Sequence, residues 1–93
     1  MAEKKPKESG SNEKQVGLVA HYYTNIGVAV VELSDTLQVG DKIHIKGATT
    51  DFNQKVASMQ IEHNKIEKAE KGQSIGLKVK DHVREHDIVY KVG

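Results

Sequence analysis

The chain has 93 residues, enough for one domain of ordinary size and no second. Its 14 Lys and Arg against 13 Asp and Glu give a formal charge of +1, which excludes the large basic excess of a dedicated nucleic-acid binder. With no cysteine, disulfides, thiolate metal sites and cysteine nucleophiles are excluded, and a reducing compartment is expected.

Residues 1–14 carry no large apolar side chain after Met1. They cannot bury enough surface to offset the entropy of ordering and read as a disordered charged tail, with the folded domain over 15–93. Lys4, Lys5, Lys7 and Lys14 are interleaved with Glu3, Glu8 and Glu13, so a solubilising tail is favoured over an arm that samples phosphates. There is no secretory h-region, and no apolar run approaches the roughly 20 residues of a membrane span. A cytoplasmic, non-membrane protein is the expectation.

From Val16 to Tyr23 the pattern is a strand, with Val16, Leu18, Ala20 and Tyr22 on one face. Thr24 and Asn25 turn the chain into a second strand, Ile26–Leu33. Its Val28–Val31 run is apolar on both sides, as in a strand covered on both faces or bulged. Ser34–Thr36 is a turn in which Asp35 can bond local backbone. After Leu37–Gly40 comes a third strand, Asp41–Lys46, ended by Gly47, with Ile43 and Ile45 alternating with Lys42, His44 and Lys46.

Phe52–His63 is the longest strand pattern. Phe52 and Val56 fall on even positions, Met59 and Ile61 on odd ones, so a bulge near Ala57-Ser58 is predicted to bend it around a corner. Asn64–Lys71 is too short for a free helix, and Ile66 and Ala69 fit one pinned turn or an extended segment. In the fifth strand, Ile75–Lys80, Ile75, Leu77 and Val79 face inward and Gly76, Lys78 and Lys80 outward. The outward Gly76 leaves backbone open to close approach by a partner. Asp81–Asp87 is a polar turn with room for one helical loop, and Ile88–Val92 is the last strand. Short strands separated by turns, with no long helical pattern, predict an all-β fold, a small closed barrel of six or seven strands.

Several of these segments resemble a known family. Ile26–Leu33 followed by Leu37–Gly47 is similar to the start of domain II of the translational GTPases, the β-barrel of elongation factor Tu and its relatives. Val56–His63 resembles that domain's long strand, and Ala69–Lys80 its glycine turn followed by an apolar-Gly-apolar strand. Val83–Val89 resembles its closing turn and strand. The likeness covers residues 16–92 and is greatest to small translation elongation factor-like proteins; a similar barrel is appended to some collagenase-like peptidases. No Gly-x-x-x-x-Gly-Lys-Ser/Thr loop is present, so GTP binding is not expected. In the family the long strand and the glycine segment help form a pocket for the aminoacyl end of transfer RNA. Gln60 stands where that pocket has an acidic residue and Ser74 where it has asparagine; both remain polar.

His82 and His86 are four apart, but no third histidine or cysteine completes a metal set, and solvated side chains are the favoured reading. His44 and His63 read as surface residues. Ser34, Ser58 and Ser74 lack any nucleophile motif, so an enzyme is not expected, nor any metal or cofactor. Of the adjacent Tyr22 and Tyr23, one should point outward, to stack a base or to cover the barrel end, the second being favoured. Lys46, Lys55, Lys78, Lys80 and Arg84 are candidate phosphate contacts, against the alternative of an ordinary solvated face.

Two functional readings follow. The first is a non-enzymatic, translation-associated module that binds RNA (transfer or ribosomal) or the ribosome. Gln60, Glu62 and Ser74 would line the remnant pocket, and Lys46, Lys78, Lys80 and Arg84 would contact phosphate. The alternative is a protein-docking barrel that packs on a separately encoded partner, like the barrel of the collagenase-like peptidases. The outward apolar positions between Val28 and Val31 motivate it.

Overall fold

The computed structural model describes residues 13–92; most of the expected N-terminal tail lies outside them. Ten strands follow one another: β1 (Glu13–Tyr23), β2 (Val28–Leu33), β3 (Leu37–Gln38), β4 (Lys42–Lys46), β5 (Asp51–Lys55), β6 (Met59–Ile61), β7 (Asn64–Ile66), β8 (Lys68–Ala69), β9 (Ser74–Lys78) and β10 (Ile88–Val92). Eight form one antiparallel sheet in the order β5-β4-β10-β1-β2-β9-β6-β7, and β3 pairs with β8 separately. The fold is all-β: among the described residues there is no helix, hence none long and apolar enough to cross a membrane.

The expected closed barrel is corrected: the sheet is open, and among the described residues no ladder joins its two ends. The cause lies in the long Phe52–His63 pattern. Val56 and Met59 are both buried although three apart, which one regular strand cannot achieve. The chain therefore leaves the ladder at Val56–Ser58 and crosses from β5, at one end of the sheet, to β6, near the other. The predicted bulge site is a full break. Side chains span the gap instead. The Gln54 amide donates to the Lys78 carbonyl at 3.0 Å, and the Lys80 N–H donates to the Gln54 Oε1 at 2.8 Å.

β1 starts at Glu13, inside the expected tail, and breaks its expected alternation twice. Its pairing shifts register between Gln15 and Gly17 against β10, and between Val19 and His21 against β2. Each shift inserts a residue and reverses which parity faces inward. Val16 and Val19 are therefore both fully buried, while Leu18 is exposed. Ile26 and Gly27 belong to the turn, where both N–H groups donate to the Tyr23 carbonyl.

The core is formed by Ala29, Val31 and Leu33 of β2, Ile43 and Ile45 of β4, Ile75 and Leu77 of β9, with Val16, Val19, Leu37, Val56, Met59, Val83 and Val89. Burying each large aliphatic side chain contributes roughly 1.5–3 kcal/mol. The Asp81–Asp87 turn holds no helical loop. The Asp87 carboxylate, itself buried, accepts the Arg84 N–H at 2.8 Å. Asn64–Lys71 is extended, as β7 and β8.

Candidate functional site: an apolar groove on the outer sheet face

Directly opposed residues in antiparallel strands share a face, so the pairings define rows across the outer surface. Val28 lies between Tyr23 and Lys78. Val30 lies between His21 and Gly76, and Gly76 is opposite Gln60, which in turn faces Lys65. Glu32 lies between Leu18 and Ser74. At the centre of this lattice Gly76 carries no side chain. A Cβ there would stand 3.1 Å from Gln60 Cγ and 3.3 Å from Val28 Cγ1, so the glycine keeps the floor low.

The dip opens into a groove of about 490 Å³. Val28, Val30, Ile61 and Ile75 supply apolar walls, Tyr23 and Ile26 flank one end, and Gln60, Glu62, His63 and Ser74 supply polar groups. Tyr23 and Ile26 are 50% and 54% exposed, unusually open for residues of that size. The loop bearing Ile26 is tied down by Lys78, whose Nζ donates to the Ile26 carbonyl at 2.7 Å.

One rim is the β6–β7 hairpin, whose two-residue turn is Glu62-His63 at φ 49° and 68°. Such turns favour Asn-Gly, because left-handed backbone costs other residues on the order of 1 kcal/mol each. Glu-His carries no turn signature, so this hairpin was not legible in the sequence. The strain sits beside the groove, a common place for it.

Of the sequence-predicted residues, Gln60, Glu62 and Ser74 converge on this groove, and Lys78 does not line it but pairs with Val28, which does. The others do not join them. Lys46 lies on β4, in a row with Ile88, Leu18, Glu32 and Ser74, separated from β9 by three strands. Lys80 lies past the end of β9 with its Nζ 6.0 Å from the Phe52 ring centroid. Arg84 belongs to a separate polar pocket with Thr49, Thr50, Asp81 and His82. The basic stripe expected from Lys46, Lys78 and Lys80 does not form, because their outward positions fall on different rows. Tyr22 packs against the core and meets His82 edge-on, with ring centroids 4.8 Å apart, while Tyr23 points outward.

His44, expected as a surface residue, is held between two carboxylates. Its Nδ1 lies 2.8 Å from Glu13 Oε2 and its Nε2 2.5 Å from Asp51 Oδ1, and its side chain is 14% exposed. Both ring nitrogens face acceptors, an arrangement only the imidazolium satisfies. Burial opposes the charge, but the hydrogen bonds to Asp51 and Glu13 outweigh it and raise the His44 pKa. The same bond lowers that of Asp51. Glu13 is 31 residues from His44, so nothing in the local pattern announced this clip.

No family model matches the chain. It is 43% identical over 77 residues to an uncharacterised protease of Methanocaldococcus jannaschii, and 42% identical over 78 residues to a collagenase of Porphyromonas gingivalis. Each match takes in 82% of this chain but only 19% and 22% of the relative, so the chain spans about a fifth of their length. The fold matches two crystal structures of the C-terminal domain of Geobacillus thermoleovorans putative U32 peptidase. The TM-scores are 0.81 and 0.78 at 24% identity, covering 86% and 82% of this chain and 93% and 96% of those domains. These findings overturn the likeness to translation-factor domain II as an identity. With it goes the reading of the chain as a translation-associated module that binds RNA or the ribosome.

Proposed function

We propose that this chain is a non-catalytic docking domain that packs against a peptidase body through the groove centred on Gly76. One observation carries the reading: two outward valines, Ile61 and the open Tyr23 and Ile26 surround a floor cleared by a glycine. Apolar surface of this kind is stabilised by covering it, and aromatic and large aliphatic side chains at its edge are the usual anchors of an interface. The relatives support the choice of partner. In proteins named protease or collagenase, a segment like this chain is joined to about four times its own length of other polypeptide. Support for a non-catalytic role comes from the commitments of the polar groups. His44 has both ring nitrogens on carboxylates, and His21 is bonded to Glu85 at 3.3 Å.

The test is affinity capture with the tagged chain from its source cells, with and without nuclease, followed by mass spectrometry. The reading expects a polypeptide homologous to the remainder of the curated relatives, retained after nuclease and lost with Gly76→Val. Recovery of RNA alone, or of the peptidase equally well by the Gly76→Val chain, contradicts it.

A further inference from the structure

Residues of opposite charge flank the two ends of the groove, each paired across strands with a residue that lines it. Val28 and Glu32 are four residues apart on one face of β2, a span of about 13 Å. At the Val28 end stands Lys78, which spends one donor on the Ile26 carbonyl and keeps two. At the other end stands Glu32, opposite Ser74. Gln60 opposes Gly76 in an antiparallel ladder, so β6 runs on toward Ser74 and delivers Glu62 to that same end. Among the described residues neither Glu32 nor Glu62 forms an ion pair, whereas Asp35, Asp41, Asp51 and Glu85 all do. Between the charged ends the floor is apolar and dips once, at Gly76.

A cationic end, one apolar dip and an anionic end within about 13 Å match a short extended peptide better than a flat surface. We infer that the groove takes an extended segment of the partner peptidase, four or five residues long. One large apolar side chain sits over Gly76, a Lys or Arg lies against Glu32 and Glu62, and a carboxylate meets Lys78. This rests on the docking reading and adds the chemistry of the occupant. The amide of Gln60 and the hydroxyl of Ser74, neither bonded among the described residues, are placed to bond the segment's backbone.

The probe is the peptide Ac-Lys-Ser-Leu-Ser-Glu-NH2, titrated into the ¹⁵N-labelled full chain and followed by NMR. Shifts are expected at Val28, Val30, Gln60 and Gly76. Replacing the peptide's lysine by glutamate should weaken binding about fivefold, and replacing its leucine by glycine about tenfold or more. The chain carrying Glu32→Lys and Glu62→Lys, both exposed, should reverse the preference toward the peptide with glutamate at both ends. No shift, shifts away from the groove, or equal binding of all peptides overturns the proposal. Capture of the peptidase separates the two readings. If the doubly substituted chain recovers it as well as the parent does, docking stands and this occupant falls. If no peptidase is recovered while the peptide still binds selectively, the docking reading falls and the segment belongs to another protein. A dimer in sedimentation that Gly76→Val abolishes assigns the groove to a second copy and overturns the proposal.

Discussion

The outer face of β2, β9 and β6 and the region around β4, β5 and β10 treat their polar groups in opposite ways. Around β4, His44 is bonded on both nitrogens, Lys91 meets Asp41 at 3.4 Å, and Asp87 is buried against Gly47 and the Arg84 N–H. Around Gly76, the side chains of Gln60, Glu62 and Ser74 have no hydrogen-bond or ion-pair partner among the described residues, and apolar side chains stay open. The same period-two alternation builds both. The difference is whether side chains from distant strands reach back to satisfy one another. Where they do, the surface contributes to stability; where they do not, apolar and polar side chains stay open side by side.

The largest expected effect tests the closed region. A Cβ at Gly47 would land on the Asp87 carboxylate, 2.6 Å from its Cγ, and that side chain is buried and held by a turn. Gly47→Ala should cost about 2–3 kcal/mol of unfolding free energy in urea. A change within 0.5 kcal/mol would show that the region yields and that the contrast is overstated. Gly76→Val should cost less than about 1 kcal/mol, because the side chains it crowds, Gln60 and Val28, are both only half-buried and have room to shift outward. It should nevertheless abolish capture of the partner. A loss of stability as large as that of Gly47→Ala would make Gly76 a packing residue instead.

The Glu62-His63 turn offers a third comparison. Glu62→Asn with His63→Gly relieves two left-handed residues and should raise stability by about 1 kcal/mol, while weakening binding through loss of the Glu62 carboxylate. Unchanged binding would remove Glu62 from the site.

The smallest effect concerns pH. His44 has a folded pKa above its ordinary 6.5, so its clip stabilises fully below pH 6.5 and loses that contribution as pH rises through the folded value. Asp51 is depressed from 3.8, so its share is present above that pH and lost as pH falls through the lower folded value. The urea midpoint should thus be highest near pH 5–6 and fall by about 0.3 M toward pH 9. His44→Gln should flatten that decline, and an undiminished slope in the variant would contradict the clip.

The alternating strands were legible because one buried face leaves a period-two trace, as in Ile75, Leu77 and Val79, all buried as read. The outward Gly76 and the valines of β2 were legible for the same reason, and they mark the groove. Three things were not. The bulges of β1 leave no composition signal, so Leu18 was grouped with Val16 on one face, although Val16 and Val19 are buried and Leu18 is exposed. Barrel closure depends on whether two distant edges find a register, and Val56–Ser58 breaks it. The His44 clip joins residues from three strands, which no local pattern records. The family likeness failed for a physical reason as well. A period-two strand pattern records which face is buried, and one fold can serve more than one kind of protein.

Hydrogen exchange of the chain, alone and bound to the captured peptidase, tests the groove most directly. Protection should rise in the Tyr23–Val30 and Gln60–Gly76 segments and stay unchanged in β4 and β5. Protection confined to β4, β5 and β10, with Val28, Val30 and Gly76 exchanging as in the free chain, would contradict a partner seated at the groove.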